Sequence, residues 1–253
     1  MKKDVWYSNA VYGALTLVLV LAASMSLSCS GQDRACAGKL KLAGKDFTMW
    51  RSPAGWQVVG KAMIDKARPK MLVRKPGTGI LINGPVGKAK DLISKTEFGD
   101  ARVHVEFMVA QGSNSGVYIQ GQYEIQIFDS WKLRKPPYPG IECGGIYERW
   151  DENRTPKGYE GYSPLVNAAL APGKWQSFDI FFRAARFDAN GKKIADARFE
   201  KIIHNGVVIH ENVELAGPTR GPMFPEDVPA GPLRLQGDHG PIAFRNIWIC
   251  PLD

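Results

Sequence analysis

From Gly38 onward, apolar residues recur at every second position in short runs separated by Gly, Pro and Asn. That is the period of half-buried β-strands, not the 3.6-residue period of a helix. The clearest run is Arg102 to Ala110, with Val103, Val105, Phe107 and Val109 on one side and Arg102, His104, Glu106 and Met108 on the other. Trp175 to Arg183 repeats the pattern through Phe178, Ile180 and Phe182. Shorter strands are expected at Trp56 to Met63, Leu72–Val73, Ile80 to Ile82, Asp91 to Lys95, Leu233 to Gln236 and Ile242 to Cys250. Phe199 to His204 and Val207 to Glu211 flank Asn205-Gly206, the signal for a type I′ hairpin, on which His204 and His210 are expected to be exposed. No long amphipathic helix, internal repeat or low-complexity tract interrupts this series. The pattern predicts an all-β protein with one domain over residues 38–253, a length ordinary for a β-sandwich.

The stretch Ser113 to Trp131 carries the densest set of polar side chains among strand formers. Two strands are expected in it, Val117 to Gln120 and Glu124 to Phe128. For Val117, Ile119, Ile125 and Ile127 to share the core, the expected register sets Gln120 opposite Glu124, with Gly121, Gln122 and Tyr123 as the loop. Tyr118, Gln120, Glu124 and Gln126 then share the opposite face, with Asn114 just before the hairpin and Asp129 just after it. Antiparallel sheets routinely expose a polar face. This one, however, is built of amides, carboxylate and phenol with no Lys, Arg or Thr, a wall of donors and acceptors suited to a sugar.

Composition narrows the alternatives. Lys2 and Lys3 followed by the uncharged apolar run Ala10 to Ala23 and small residues up to Cys29 read as a leader over residues 1–29, too short for a comfortable membrane span. The leader reads either as an ordinary secretory peptide cut near Ser28 or, the favoured reading, as that of an exported lipoprotein, periplasmic or outer-membrane, lipidated on Cys29, and a lipid there would be its one link to a membrane. Cys36 and Cys250 are candidates for a disulfide, and Cys143 for a buried free thiol. The formal net charge of +8 is concentrated between Lys61 and Lys95. Those cations alternate with turn signals and form no aromatic-interleaved stripe, so nucleic acid is not an expected partner.

No Gly-x-Ser-x-Gly elbow, phosphate-binding loop or Cys/His zinc spacing is present. Glu124 has Gln126, not a second carboxylate, as its same-face neighbour, which argues against a double-carboxylate glycosidase. His239 lies in the loop Gly237-Asp238-His239-Gly240, with Arg234 and Gln236 leading into it on one strand face. The segment Lys132 to Ala169, rich in Pro, Gly and Tyr, is too long for a plain loop and is expected to rim the sheet. It brings Glu142 and Tyr147, flanking Cys143, as a second carboxylate and an aromatic platform. Trp131 and Trp150 are there to stack on pyranose rings or to cover a sheet edge.

The run SNSGVYIQGQYEIQIFDS (113–130), with CGGIY (143–147), PGKWQSFDIFFRAARFDANGK (172–192), HNGVVIHENVELAGPT (204–219) and GPLRLQGDHGPIAFRNIWI (231–249), resembles the 3-keto-disaccharide hydrolase family, block for block and in order. A start at AGKDFTMWR (43–51) fits as well. The sequence departs from the family loop by the additional Gly237 before Asp238. The resemblance implies a concanavalin A-like jelly-roll β-sandwich of two antiparallel sheets. It also implies cleavage of 3-keto-glycosides by proton abstraction at C2, elimination and hydration. On that reading Glu124, Asp129 and His239 supply base and oxyanion or metal functions. Asn114, Tyr118, Gln120, Gln126, Tyr147, Arg234 and Gln236 bind substrate. A divalent metal with oxygen ligands is compatible with this chemistry without being required. The reading from a different class is a non-catalytic carbohydrate-binding module on the same scaffold.

Overall fold

Strict alternation makes each strand two-faced, so the apolar faces must be buried against another layer. The computed structural model describes Cys36 and residues 38–252, and the leader with Cys29 lies outside the described residues. In chain order the strands are β1 Leu40–Lys41, β2 Gln57–Ile64, β3 Leu72–Ile82, β4 Leu92–Phe98, β5 Ala101–Val109, β6 Asn114–Ile119, β7 Tyr123–Phe128 and β8 Arg149–Trp150. They continue as β9 Gly158–Tyr159, β10 Gln176–Arg183, β11 Arg186–Phe187, β12 Lys193–Ala195, β13 Ala197–His204, β14 Val207–Leu215, β15 Gly231–Leu235 and β16 Ile242–Pro251. Among the described residues there is no helix.

Two antiparallel sheets form a jelly-roll sandwich. The larger runs β14-β13-β10-β5-β16-β3-β2, with β1 added beside β16, and the smaller runs β4-β15-β6-β7. Val103, Val105, Phe107, Val109, Phe178, Ile180 and Phe182 from the larger sheet are completely buried. They share one apolar cluster with Val117, Ile119, Ile125 and Ile127 from the smaller. Full burial of each such side chain contributes roughly 1.5–3 kcal/mol before entropy is counted. Met108, expected outside, is buried in a second cluster with Val59, Leu72, Ile80 and Ile82. The two short strands expected at Leu72–Val73 and Ile80–Ile82 are one strand, β3, because the ladder shifts register between Val59 and Lys61 and so passes Pro76-Gly77.

Cys36 and Cys250 form a disulfide with their Cα atoms 5.8 Å apart, at the edge where β1 pairs with β16. Cys143 is free and buried, and burial pushes its thiol up to about 12, so it is held as the neutral thiol.

The expectation for His204 and His210 is corrected: both are buried. The His204 ring lies beside Phe107 and Phe178, with Nε2 3.0 Å from Gln176 Oε1. His210 Nε2 donates to the Gly144 carbonyl at 2.8 Å. The segment around Cys143 and Gly144 covers this hairpin, a tertiary contact that alternation along the strand does not reveal. Burial holds His204 near 4 and lowers His210.

Candidate active site

The outward-facing side chains of the smaller sheet form rows across its strands. One row is Arg234 on β15, Tyr118 on β6 and Glu124 on β7, through the pairs Arg234↔Tyr118 and Tyr118↔Glu124. The next begins at Gln236, whose N–H donates to the Gly116 carbonyl at 3.0 Å, and continues through the pair Gly116↔Gln126. Gly116 is the gap in the wall. A Cβ there would overlap Glu124 Oε1, so the missing side chain is what admits the carboxyl group. Beyond β7, the rim segment is stitched on like a further strand. Gln126 N–H donates to Gly145 O, Gly144 N–H to Gln126 O, and Tyr147 N–H to Glu124 O, at 2.8, 2.8 and 3.0 Å.

The hairpin register differs from the expected one. The structure pairs Ile119 with Tyr123 and Tyr118 with Glu124, so the three-residue loop is Gln120-Gly121-Gln122. Gln120 and Gly121 both have positive φ, 55° and 67°. Gln120 therefore leaves the polar wall. Its amide is fully buried and donates to the carbonyls of Phe98 at 2.9 Å and Pro229 at 3.3 Å, a structural tie and not a sugar contact.

Above the wall lies a pocket of about 320 Å³. Glu124, Gln126, Asn114 and Tyr118 form its floor, and Tyr147, Gln236 and His239 line its sides. Arg220 and Gly221 complete it and were not anticipated. They come from an irregular loop, Ala216 to Gly221, that carries no periodic signal. Its place is fixed by Thr219, whose hydroxyl accepts from Glu124 N–H at 2.9 Å and donates to Gln122 O at 3.0 Å. The Arg220 guanidinium lies 3.6 Å from the ring centre of Trp150, a cation–π contact that fixes where the charge sits.

Glu124 is only 2% exposed, and burial pushes its pKa up to about 8. Its neighbours Tyr118 and Arg234 pull the other way and Asp91 adds to the rise, but desolvation dominates. Arg234 does not line the pocket. It lies beside Tyr118 on the same face, its guanidinium 3.5 Å from the ring centre of Tyr118, donates to Gly221 O at 2.8 Å and pairs with Asp91 at 3.4 Å. Burial raises Tyr118 and Tyr147 well above the usual phenol range, so both stay protonated donors. The amide oxygens of Gln126 and Gln236 are buried without a partner in the protein. Buried polar atoms are normally paired, so two orphan acceptors beside a polar pocket suit a ligand rich in hydroxyl groups.

His239 is half-exposed at the pocket mouth, and its Nδ1 pairs with Asp238 Oδ1. That pairing makes Nδ1 the donor to Asp238 and leaves Nε2 free to accept when the ring is neutral or to donate when it is protonated. The additional Gly237 has a packing reason: a Cβ there would approach the Lys90 carbonyl to 2.5 Å. Its backbone is held by Asp91 Oδ1, Ala89 N–H and the Asn83 amide.

Asp129 is not in this pocket. Its Oδ2 accepts from Gly112 N–H at 2.8 Å, and the side chain faces a separate hollow. Glu124, Asp129 and His239 thus do not converge as a ligand set, and among the described residues no group of three or more His, Cys, Asp or Glu is placed to hold a metal ion. Glu142 is buried and does not line the pocket. His104 and Glu106 face outward from the larger sheet, where His104 stacks on Trp248 and Glu106 accepts from Asn246 at 2.8 Å.

Jelly-roll layers with a polar, amide-lined pocket on the smaller sheet define a carbohydrate-active protein of the glycosyl hydrolase-like class. The chain belongs to the 3-keto-alpha-glucoside-1,2-lyase-like domain family, whose model matches residues 40–250. It is similar to a crystal structure of a provisionally assigned glycosyl hydrolase from Parabacteroides distasonis, at 29% identity over 85% of this chain and 84% of that one, with a TM-score of 0.59. A second such structure from the same organism is 16% identical over 83% of this chain and 91% of that one, with a TM-score of 0.50, and shares the fold. No curated protein matches the chain.

Proposed function

We propose that this protein cleaves 3-keto-glycosides by elimination followed by hydration. The observation that carries the proposal is Glu124, a lone buried carboxyl group poised near pH 8 in a pocket lined by amides, phenols, His239 and the Arg220 guanidinium. In a 3-keto sugar the C2–H is acidified by the adjacent carbonyl. Glu124 as carboxylate takes that proton, the electron pair forms the C1–C2 double bond, and the C1–oxygen bond breaks. The imidazolium of His239, oriented by Asp238, protonates the departing oxygen. Water then adds across the double bond: its hydroxyl goes to C1, its remaining proton restores the His239 imidazolium, and Glu124, having exchanged its proton with solvent, protonates C2. The net change is consumption of one water. Negative charge developing on the C3 oxygen is met by Arg220 and by the phenols of Tyr118 and Tyr147, donors that are in place before reaction.

A base whose conjugate acid sits near the working pH combines basicity with a useful ionised fraction. A second carboxylate, which displacement by two acids would need, is not in the pocket. The family description supports the 3-keto sugar as substrate class. The reading extends to an exported enzyme held to a membrane only by lipid on Cys29, resting on the basic and apolar leader.

The test is release of a chromogenic aglycone from a 3-keto-glucoside beside the unoxidised glucoside. Wild type is expected to act on the keto form alone. Glu124→Gln is expected to lower that rate by about a thousandfold with the fold intact, and His239→Ala by about a hundredfold. Near-normal rates in both variants would overturn the site. Saturable glycan binding with no product from either sugar would favour the binding module.

A further inference from the structure

Asp129 and Trp131 are left without a task by the chemistry above, and the structure puts them together. They face a hollow of about 560 Å³ with Gln111, Lys132 and Leu133, floored by Ile64, Pro69, Ala171 and Pro172. That volume lies in the range of about 300–1,000 Å³ typical of small-molecule sites. Trp131 is 47% exposed, an unusual state for the largest apolar side chain, and so presents an indole face to solvent. Lys132 Nζ lies 4.7 Å from the ring centre of Trp131 and fixes a positive donor beside it. Only one oxygen of Asp129 is used within the described protein, by Gly112 N–H, which also orients the carboxylate.

From this geometry we infer a second carbohydrate-binding site, for unoxidised, neutral pyranose units of a longer glycan. The inference rests on the reading that this protein acts on carbohydrate. An indole plane stacks on the C–H face of a pyranose, while a carboxylate, an amide and an ammonium at its border take vicinal hydroxyl groups. The opposite charges of Asp129 and Lys132 in one lining favour a neutral ligand over an anionic one. The hollow also adjoins the candidate active site. Asp129 N–H donates to Ser113 O at 3.0 Å, and the next residue, Asn114, lines the catalytic pocket. The open end of the β6–β7 ladder therefore serves both, and a glycan held on Trp131 is delivered next to the place where its modified unit is cleaved.

The experiment is calorimetric titration of the folded protein with cellopentaose, laminaripentaose and maltopentaose. Wild type is expected to bind at least one of them saturably. Trp131→Ala is expected to weaken that binding at least about tenfold, and Asp129→Asn about threefold. Turnover of the small chromogenic 3-keto-glucoside is expected to be unchanged in both. Binding by Trp131→Ala equal to wild type, or no binding of any pentasaccharide by wild type, would overturn the second site. The turnover assay reads the catalytic proposal separately, since loss of binding in Trp131→Ala stands whether or not the keto-glucoside is cleaved.

Discussion

Glu124 is a carboxyl group that folding drives to hold its proton, and this makes its chemistry and its cost to the fold two readings of one fact. The unfolded chain releases the proton near 4.5, the folded protein near 8. Folding therefore takes up a proton between those values, and stability falls as pH rises through that window. Glu124→Gln keeps the shape without the titration. The variant is expected to gain on wild type progressively from pH 5 to pH 8, which denaturant unfolding at the two pH values would measure. Catalysis carries the opposite sign at Glu124, because a base must be ionised, so kcat on a 3-keto-glucoside is expected to climb as pH rises from 5 towards 8. His204 acts at the acid end. Its folded value near 4 against 6.5 unfolded means stability is lost as pH falls from 6.5 towards 4, and His204→Gln is expected to flatten that limb.

Among the strands, the period-2 pattern made the sandwich legible: the inward residues of β5 and β10 and the inward isoleucines of the hairpin follow directly from it. The pattern could not choose the hairpin register. Pairing Glu124 with Gln120 or with Tyr118 places the same side chains on the same faces, so hydrophobicity is blind to the difference. What decides is Gln120 adopting φ 55° and sinking its amide onto Phe98 and Pro229, a long-range partnership invisible in the local sequence. Tyr118, Glu124 and Gln126 therefore kept the face expected of them, while Gln120 did not. Arg220 was not legible, because an aperiodic loop is placed by the Thr219 hydroxyl against the Glu124 and Gln122 backbone. Gly116 is the hinge of this arrangement. Gly116→Ala puts a methyl group into the carboxyl's space, and overpacking of that kind costs about 1–3 kcal/mol. It is expected to cut turnover about as far as Glu124→Gln while a circular dichroism spectrum stays β-sheet.

At the scale of the whole molecule, the chain closes on itself where β1 joins β16 beside the Cys36–Cys250 disulfide, which spans 214 residues of sequence. Its loss frees the ends in the unfolded state, and Cys36→Ser is expected to cost about 2–4 kcal/mol in denaturant unfolding without changing turnover, since neither cysteine nears the pocket. The central claim concerns how the glycosidic bond is broken, and one measurement reaches it most directly. A 3-keto-glucoside is turned over briefly in D2O, and the released sugar is weighed and mapped beside a control of the same product left in D2O without enzyme. Elimination and hydration predict one solvent deuterium at C2 in each molecule released, well above the control. Release with C2 carrying only its original hydrogen, as displacement at C1 would give, would contradict the account of Glu124 as a base that exchanges with solvent.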